Sequence, residues 1–151
     1  MDKNNRSQPN AMNNGSRSLG RLFLQLRRLE RQPQNFGNAG SITPSEIHTI
    51  EGIGYEGAIL MNELATRLGV TKGAVSQLIV RLEAKQLVTR SSYPHDSRAI
   101  LISLTDKGKE AYKAHEEMHI RFYDQLRSQL SQQEIEIFEK CIGKLNDFLQ
   151  K

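Results

Sequence analysis

The sequence predicts a mainly α fold with a small β-wing, and three patterns carry that prediction. Apolar residues recur at helical spacing in six separate stretches. One of these, Asn62 to Leu68, ends at Gly69, and the next is capped by Thr71 only two residues later, the arrangement of a helix-turn-helix. Two short runs, Leu87 to Ser91 and Ala99 to Leu104, then flank a polar turn and read as a β-hairpin.

In chain order, residues 1 to 17 are rich in Asn, Ser, Gln and Gly. With almost no apolar content they cannot offset the entropy of being ordered, so they are expected to form a disordered tail. Leu19, Leu22, Phe23, Leu26 and Leu29 give a first helix, stopped by Pro33 and by Gly37 to Gly40. Thr43-Pro44-Ser45-Glu46 starts a second: Thr43 is the N-cap, Pro44 takes the first helical position, and Glu46 is placed to close a capping box. It runs to about Ile53 and buries Ile47 and Ile50. Gly52-Ile53-Gly54-Tyr55-Glu56-Gly57 matches the spacing of a dinucleotide loop, but it ends a helix instead of following a strand, so it reads as a glycine-rich connection.

The stretch from Gly69 to Val88 organises the chain. Val75, Leu78, Ile79 and Leu82 share one helical face, and Lys72, Ser76, Gln77 and Arg81 point the other way. The second helix of a helix-turn-helix enters the DNA major groove. Behind it, the tip Ser91 to Arg98 makes the hairpin a wing, from which Arg90, His95 and Arg98 can reach the DNA backbone or the minor groove. Asp96 is placed to hold Arg98 by a charge-assisted bond. Charge follows the same division. Residues 67 to 98 hold six Lys/Arg against two Asp/Glu, whereas residues 1 to 66 hold seven against six and residues 99 to 151 eight against nine. The excess lies where phosphates would be neutralised.

Thr105 caps a long helix to about Gln129, with Tyr112, His115, His119, Phe122 and Leu126 on one stripe. Ser131-Gln132-Gln133-Glu134 opens the last helix, with Ile135, Phe138, Cys141, Ile142, Leu145, Phe148 and Leu149. These stripes are wider than one winged-helix core needs and suggest a helical dimer interface. The predicted organisation is a single domain over residues 18 to 150, with a winged helix-turn-helix DNA-binding lobe at 42 to 105 and a helical dimerisation region at 18 to 35 and 106 to 150. No apolar run approaches 18 residues, and the one cysteine fits a reducing compartment, so a cytoplasmic protein without membrane contact is expected.

The order of elements resembles the MarR family of transcriptional regulators. The resemblance is carried by the Thr43-Pro44 start, by Asn62-Glu63-Leu64-Ala65 through Leu68-Gly69-Val70, by TKGAVSQLIVRLEAKQLV, by the wing Asp96-Ser97-Arg98, and by LISLTDKG from Leu101 to Gly108. It implies an obligate homodimer on a pseudo-palindromic operator, usually a repressor, released by an effector bound between the dimerisation and DNA-binding regions. It implies contacts to bases and phosphates from Thr71, Lys72, Ser76, Gln77 and Arg81, and minor-groove entry by Arg98. With Arg90 and Asp96 of the wing, these form the expected DNA-binding set. No catalytic residues are expected, and no cofactor is required.

His115 and His119 are four residues apart, which puts both imidazoles on one side of a helix within reach of a single metal ion. Glu30 shares the stripe of Phe23 and Leu26, and His48 lies beside Ile47. In the family's zinc-sensing branch, a Glu, a His and a spaced His pair at the matching positions bind one zinc, which makes Glu30, His48, His115 and His119 the implied metal set and Zn2+ the implied effector. The chain departs from that branch at its second metal site: Ile47 and Ala114 stand where carboxylates are expected, and no Cys lies in the first two helices. A polar small-molecule pocket, or an oxidant response without metal, is the alternative. Cys141, on an apolar stripe, is expected to pack in the core. Outside this class stand a winged-helix module for protein contacts and a zinc enzyme; no Ser/His/Asp arrangement or P-loop supports catalysis.

Overall fold

The computed structural model describes residues 10–29 and 31–150, with side chains from residue 14 onward. Helix α1 spans Asn10–Leu29. Residues 10 to 17, expected in a disordered tail, are thus helical, while residues 1 to 9 lie outside the described residues. The reason is cooperative: once the stripe from Leu19 to Leu29 forms a helix, upstream residues add without a new nucleus, and no proline intervenes until Pro9.

Helix α2 (Pro44–Ile53) begins with the complete capping box of Thr43 and Glu46. Helix α3 (Met61–Leu68) ends on Gly69, whose φ of 65° lies in the left-handed region that L side chains rarely adopt. Helix α4 (Lys72–Ala84) follows at once, the Thr71 side chain accepting from the Ala74 N–H. Strands β4 (Val88–Tyr93) and β5 (Asp96–Leu104) form the wing, paired in register from Val88 opposite Leu104 to Tyr93 opposite Asp96, with a bulge at Ser92/Tyr93. The wing is longer than its sequence suggests. Polar residues 91 to 98 are mostly strand, because a two-residue turn at Pro94-His95 suffices and the outward strand faces need no apolar residue.

Three strands escaped the sequence reading. β1 (Gln34–Asn35) pairs with β2 (Ser41–Ile42) around a 3-10 turn at Gly37–Ala39, and β3 (Ile59–Leu60) pairs with β5, giving the sheet order β3-β5-β4. Two-residue strands carry no period to detect.

The core gathers Ile50 of α2, Leu64 of α3, Val75, Ile79 and Leu82 of α4, Leu87, Ile102 of β5 and Ala111 of α5 (Asp106–Arg127), all fully buried. The start of α5 is seated on the end of α4. The Thr105 N–H donates to the Leu87 carbonyl, the Thr105 hydroxyl to the Gln86 carbonyl, and Lys107 Nζ to the Lys85 carbonyl. Three consecutive carbonyls just beyond the end of α4 therefore take their partners from one turn of another helix. Gln86, between them, adopts φ 60°. Gly108 makes the seat possible: a Cβ there would lie 2.0 Å from the Leu87 carbonyl oxygen.

Helix α6 (Gln132–Leu149) completes the chain. Fifteen large apolar side chains are exposed among the described residues, and twelve of them lie on α1, the second half of α5 and α6, including Leu22, Phe23, Phe122, Ile142 and Phe148. Exposure is thus concentrated on the terminal helices, not scattered. Cys141, expected in the core, is exposed on α6. Its stripe is apolar, but within the chain only Ile135 of that helix is buried.

Candidate DNA interface and histidine cluster

The apolar stripe of α4 fixes which of its residues face outward. Val75, Leu78, Ile79 and Leu82 are buried, and Lys72, Ser76, Gln77 and Arg81 are exposed together. Ser76, Gln77, Val80 and Arg81 line a shallow hollow of about 340 Å3. Val80, 57% exposed, was not foreseen as a site residue. Its signal was positional, four residues from Ser76 and three from Gln77, and a methyl-bearing side chain on this face is suited to the thymine methyl group. Thr71 is exposed, but its hydroxyl is engaged as the N-cap.

Arg81 has a partner inside the protein. Glu46 of α2 is 2% exposed, and its Oε2 accepts from Lys85 Nζ at 2.6 Å and from the Thr43 N–H at 2.9 Å, while Oε1 lies 3.9 Å from Arg81 Nε. Lys85 Nζ also donates to the Ser41 carbonyl. Burial alone would raise the Glu46 pKa; the hydrogen bonds from Lys85 and Thr43 overcome it and hold the carboxyl below the usual range. Helix α2 therefore grips the end of α4 through one buried carboxylate. Sequence reasoning assigned Glu46 only to the capping box, since a partner 39 residues away leaves no local pattern.

On the wing, Arg98 is exposed three residues beyond the turn, and Asp96 Oδ1 accepts from the Arg98 backbone N–H at 2.9 Å. Asp96 thus shapes the turn rather than holding the guanidinium, as its short side chain favours a local backbone donor. Arg90, expected to reach DNA, pairs instead with Glu83 of α4 at 2.8 Å and braces the wing against the recognition helix. His95 stacks edge-on against Tyr93 at the tip.

The histidines converge where α2 meets α5. His48 Nδ1 lies 2.9 Å from Glu51 Oε2, His115 Nε2 lies 2.9 Å from Glu51 Oε1, and His119 Nε2 lies 3.0 Å from His115 Nε2. His115 is 5% exposed, and its Nδ1 has no hydrogen-bond partner. Burial pushes its pKa down, Glu51 opposes this, and His119 and His48 reinforce it, so the ring is neutral near pH 7 and offers a lone pair. Glu51 was missed in the sequence because it is half-exposed on a helix already assigned to the core. Glu30, the carboxylate expected here, lies outside the described residues. Beside the cluster is an apolar cavity of about 410 Å3, lined by Leu26, Leu29, Phe36, Ile47, Met118 and Phe122 as well as the three histidines. Among the described residues no helix is long and apolar enough to cross a membrane.

Comparison with known proteins places this arrangement. A sequence model of the MarR family matches residues 41–99, the span of the helix-turn-helix and most of the wing. The chain is 28% identical over 125 residues to the uncharacterized HTH-type transcriptional regulator YxaD of Bacillus subtilis, covering 83% of this chain and 87% of that protein. Among solved structures it is similar to Streptococcus pneumoniae FabT in complex with DNA, at a TM-score of 0.74 and 25% identity over 92% of this chain and 95% of that one. It is also similar to the Staphylococcus aureus MepR–DNA complex, at a TM-score of 0.57 and 29% identity over 70% and 79%. Members of this family are transcriptional regulators, not enzymes. A chain with this element order, this helix-turn-helix and these relatives has the winged-helix fold of the MarR family of transcriptional regulators, whose model it matches over residues 41–99.

Proposed function

We propose that the protein is a homodimeric repressor that binds a pseudo-palindromic DNA operator and releases it in response to an effector held between α2 and α5. One observation carries the DNA reading: Lys72, Ser76, Gln77 and Arg81 share the exposed face of α4, with Arg98 exposed on the adjoining wing. FabT and MepR, similar over most of the chain, are described as DNA complexes. In this reading the lobe at 42 to 105 docks on DNA and the helices at 18 to 35 and 106 to 150 join two protomers. The Arg81→Ala and Arg98→Ala variants are each expected to lose about 1–3 kcal/mol of operator affinity, roughly 5- to 150-fold, measured by titration at one fixed salt concentration. Unchanged binding by both would sink the assignment. Arg90→Ala, whose guanidinium is held by Glu83, is expected to matter less.

The apolar side chains exposed on α1 and α6 support the dimer, since exposed apolar residues concentrated on a few elements mark an interface. The wild type is expected to sediment as a dimer, and the Leu22→Glu/Phe148→Glu variant as a monomer that no longer binds a two-site operator. A wild type that sediments as a monomer at micromolar concentration would refute the dimer.

The effector is read as a divalent metal, zinc foremost, on His48, His115 and His119. Two features support it: a neutral, buried imidazole at the centre, and a pair of histidines one helical turn apart. The adjoining apolar cavity favours a second reading, a small molecule with an apolar body and a polar group directed at the histidines.

A further inference from the structure

We propose that Glu51 is a metal ligand, completing with His48, His115 and His119 a site for one divalent cation built from α2 and α5 of a single protomer. The inference rests on the metal reading above and names a carboxylate that the sequence pattern did not.

The argument is one of lone pairs and spacing. The candidate ligand atoms of His48, Glu51 and His115 lie within 4.8 Å of one another, and His119 Nε2 stands 3.0 Å from His115 Nε2. Bonds of about 2.0–2.1 Å in a tetrahedral zinc site place neighbouring donors roughly 3.3–3.4 Å apart. The contacts at 2.9 to 3.0 Å are therefore within a few tenths of an ångström of that geometry. Glu51 reaches both imidazoles at once, one carboxylate oxygen on each.

The nitrogen involved decides between ligand and support. A carboxylate that only orients a metal-binding histidine sits on the ring nitrogen away from the metal. Glu51 instead faces His115 Nε2, the same nitrogen that faces His119, while Nδ1 has no partner. Without a cation, the one position on Nε2, whether proton or lone pair, has to serve both Glu51 and His119. A divalent ion at the focus accepts every lone pair together, and the carboxylate offsets part of its charge. Three imidazoles and one carboxylate form a donor set that suits Zn2+.

The test uses the 151-residue chain as wild type, Glu51→Gln and Glu56→Gln. Zinc affinity is measured by competition with a chromophoric chelator, and the visible spectrum is recorded with Co2+ in place of zinc. Glu51→Gln is expected to weaken zinc binding at least 10-fold and to change the Co2+ ligand-field bands, while Glu56→Gln, an exposed carboxylate paired with Lys109, changes neither. Far-ultraviolet circular dichroism checks that the half-exposed substitution leaves the helices intact. Wild type that binds no stoichiometric zinc overturns the metal reading, and this inference with it. Wild type that binds zinc, with Glu51→Gln unchanged in affinity, overturns this inference alone. So does a weakened Glu51→Gln variant with an unchanged Co2+ spectrum, because Glu51 would then position the imidazoles without touching the ion.

Discussion

Glu46→Ala is expected to destabilise the fold by about 2–3 kcal/mol. Breaking a fully buried ion pair costs about 3–5 kcal/mol and losing a cap about 1 kcal/mol. Lys85 is 35% exposed, however, so solvent screens its half of the pair and the total is discounted. The Thr43 N–H would lose its acceptor, and Lys85 would keep only the Ser41 carbonyl. For a domain of this size the loss corresponds to roughly 4–12 °C in Tm, measured at one protein concentration. The effect carries a pH signature. The Glu46 carboxyl is held below its ordinary range in the folded state, so its stabilisation is present above that range and disappears as the pH falls through the folded value. The gap between wild type and variant is therefore expected to be full at pH 7 and to close in acid. A gap that persists unchanged at pH 3 would mean that the carboxylate's charge is not what stabilises this corner.

Gly108→Ala is expected to cost about 3 kcal/mol or more, although alanine is ordinarily the better helix former. An added Cβ would sit 2.0 Å from the Leu87 carbonyl oxygen and 3.0 Å from its carbon. The obstacle is backbone at the end of the recognition helix, so no rotamer can relieve it, and overpacking of even a yielding core costs about 1–3 kcal/mol. Gly73→Ala is the control. Its Cβ meets nothing within 4 Å, and it is expected to be neutral or to stabilise by up to about 1 kcal/mol. Thermal unfolding of the two variants checks the pair. Equal melting temperatures would show that α5 is free to move away from Leu87.

The helices were legible in the sequence because each is written in a local code. Thr43, Thr71, Thr105 and Ser131 each cap the helix they precede, and the buried faces of α2 and α4 follow the apolar spacing. What stayed hidden depends on pairs distant in sequence. The β3–β5 pairing joins Ile59 to Ile102, Glu46 meets Lys85, and Glu51 faces His115 across two helices. A carboxylate on an amphipathic helix looks the same in sequence whether it faces solvent or another helix. The recognition face of α4 was read from its own periodicity. The cluster was read only as far as the spacing of His115 and His119 allowed.

The brace between α4 and α5 bears on how the wing can vary. Both feet of the hairpin are anchored at one place, where Lys85, Gln86 and Leu87 receive donors from Thr105 and Lys107, and where Gly108 lies against the Leu87 carbonyl. Nothing in that anchorage depends on the number of residues at the tip. Residues can be added at Pro94-His95 without moving either foot, so wing length and helix placement are separately adjustable parameters. A chain built this way can change how far it reaches along DNA while leaving the angle of its recognition helix untouched.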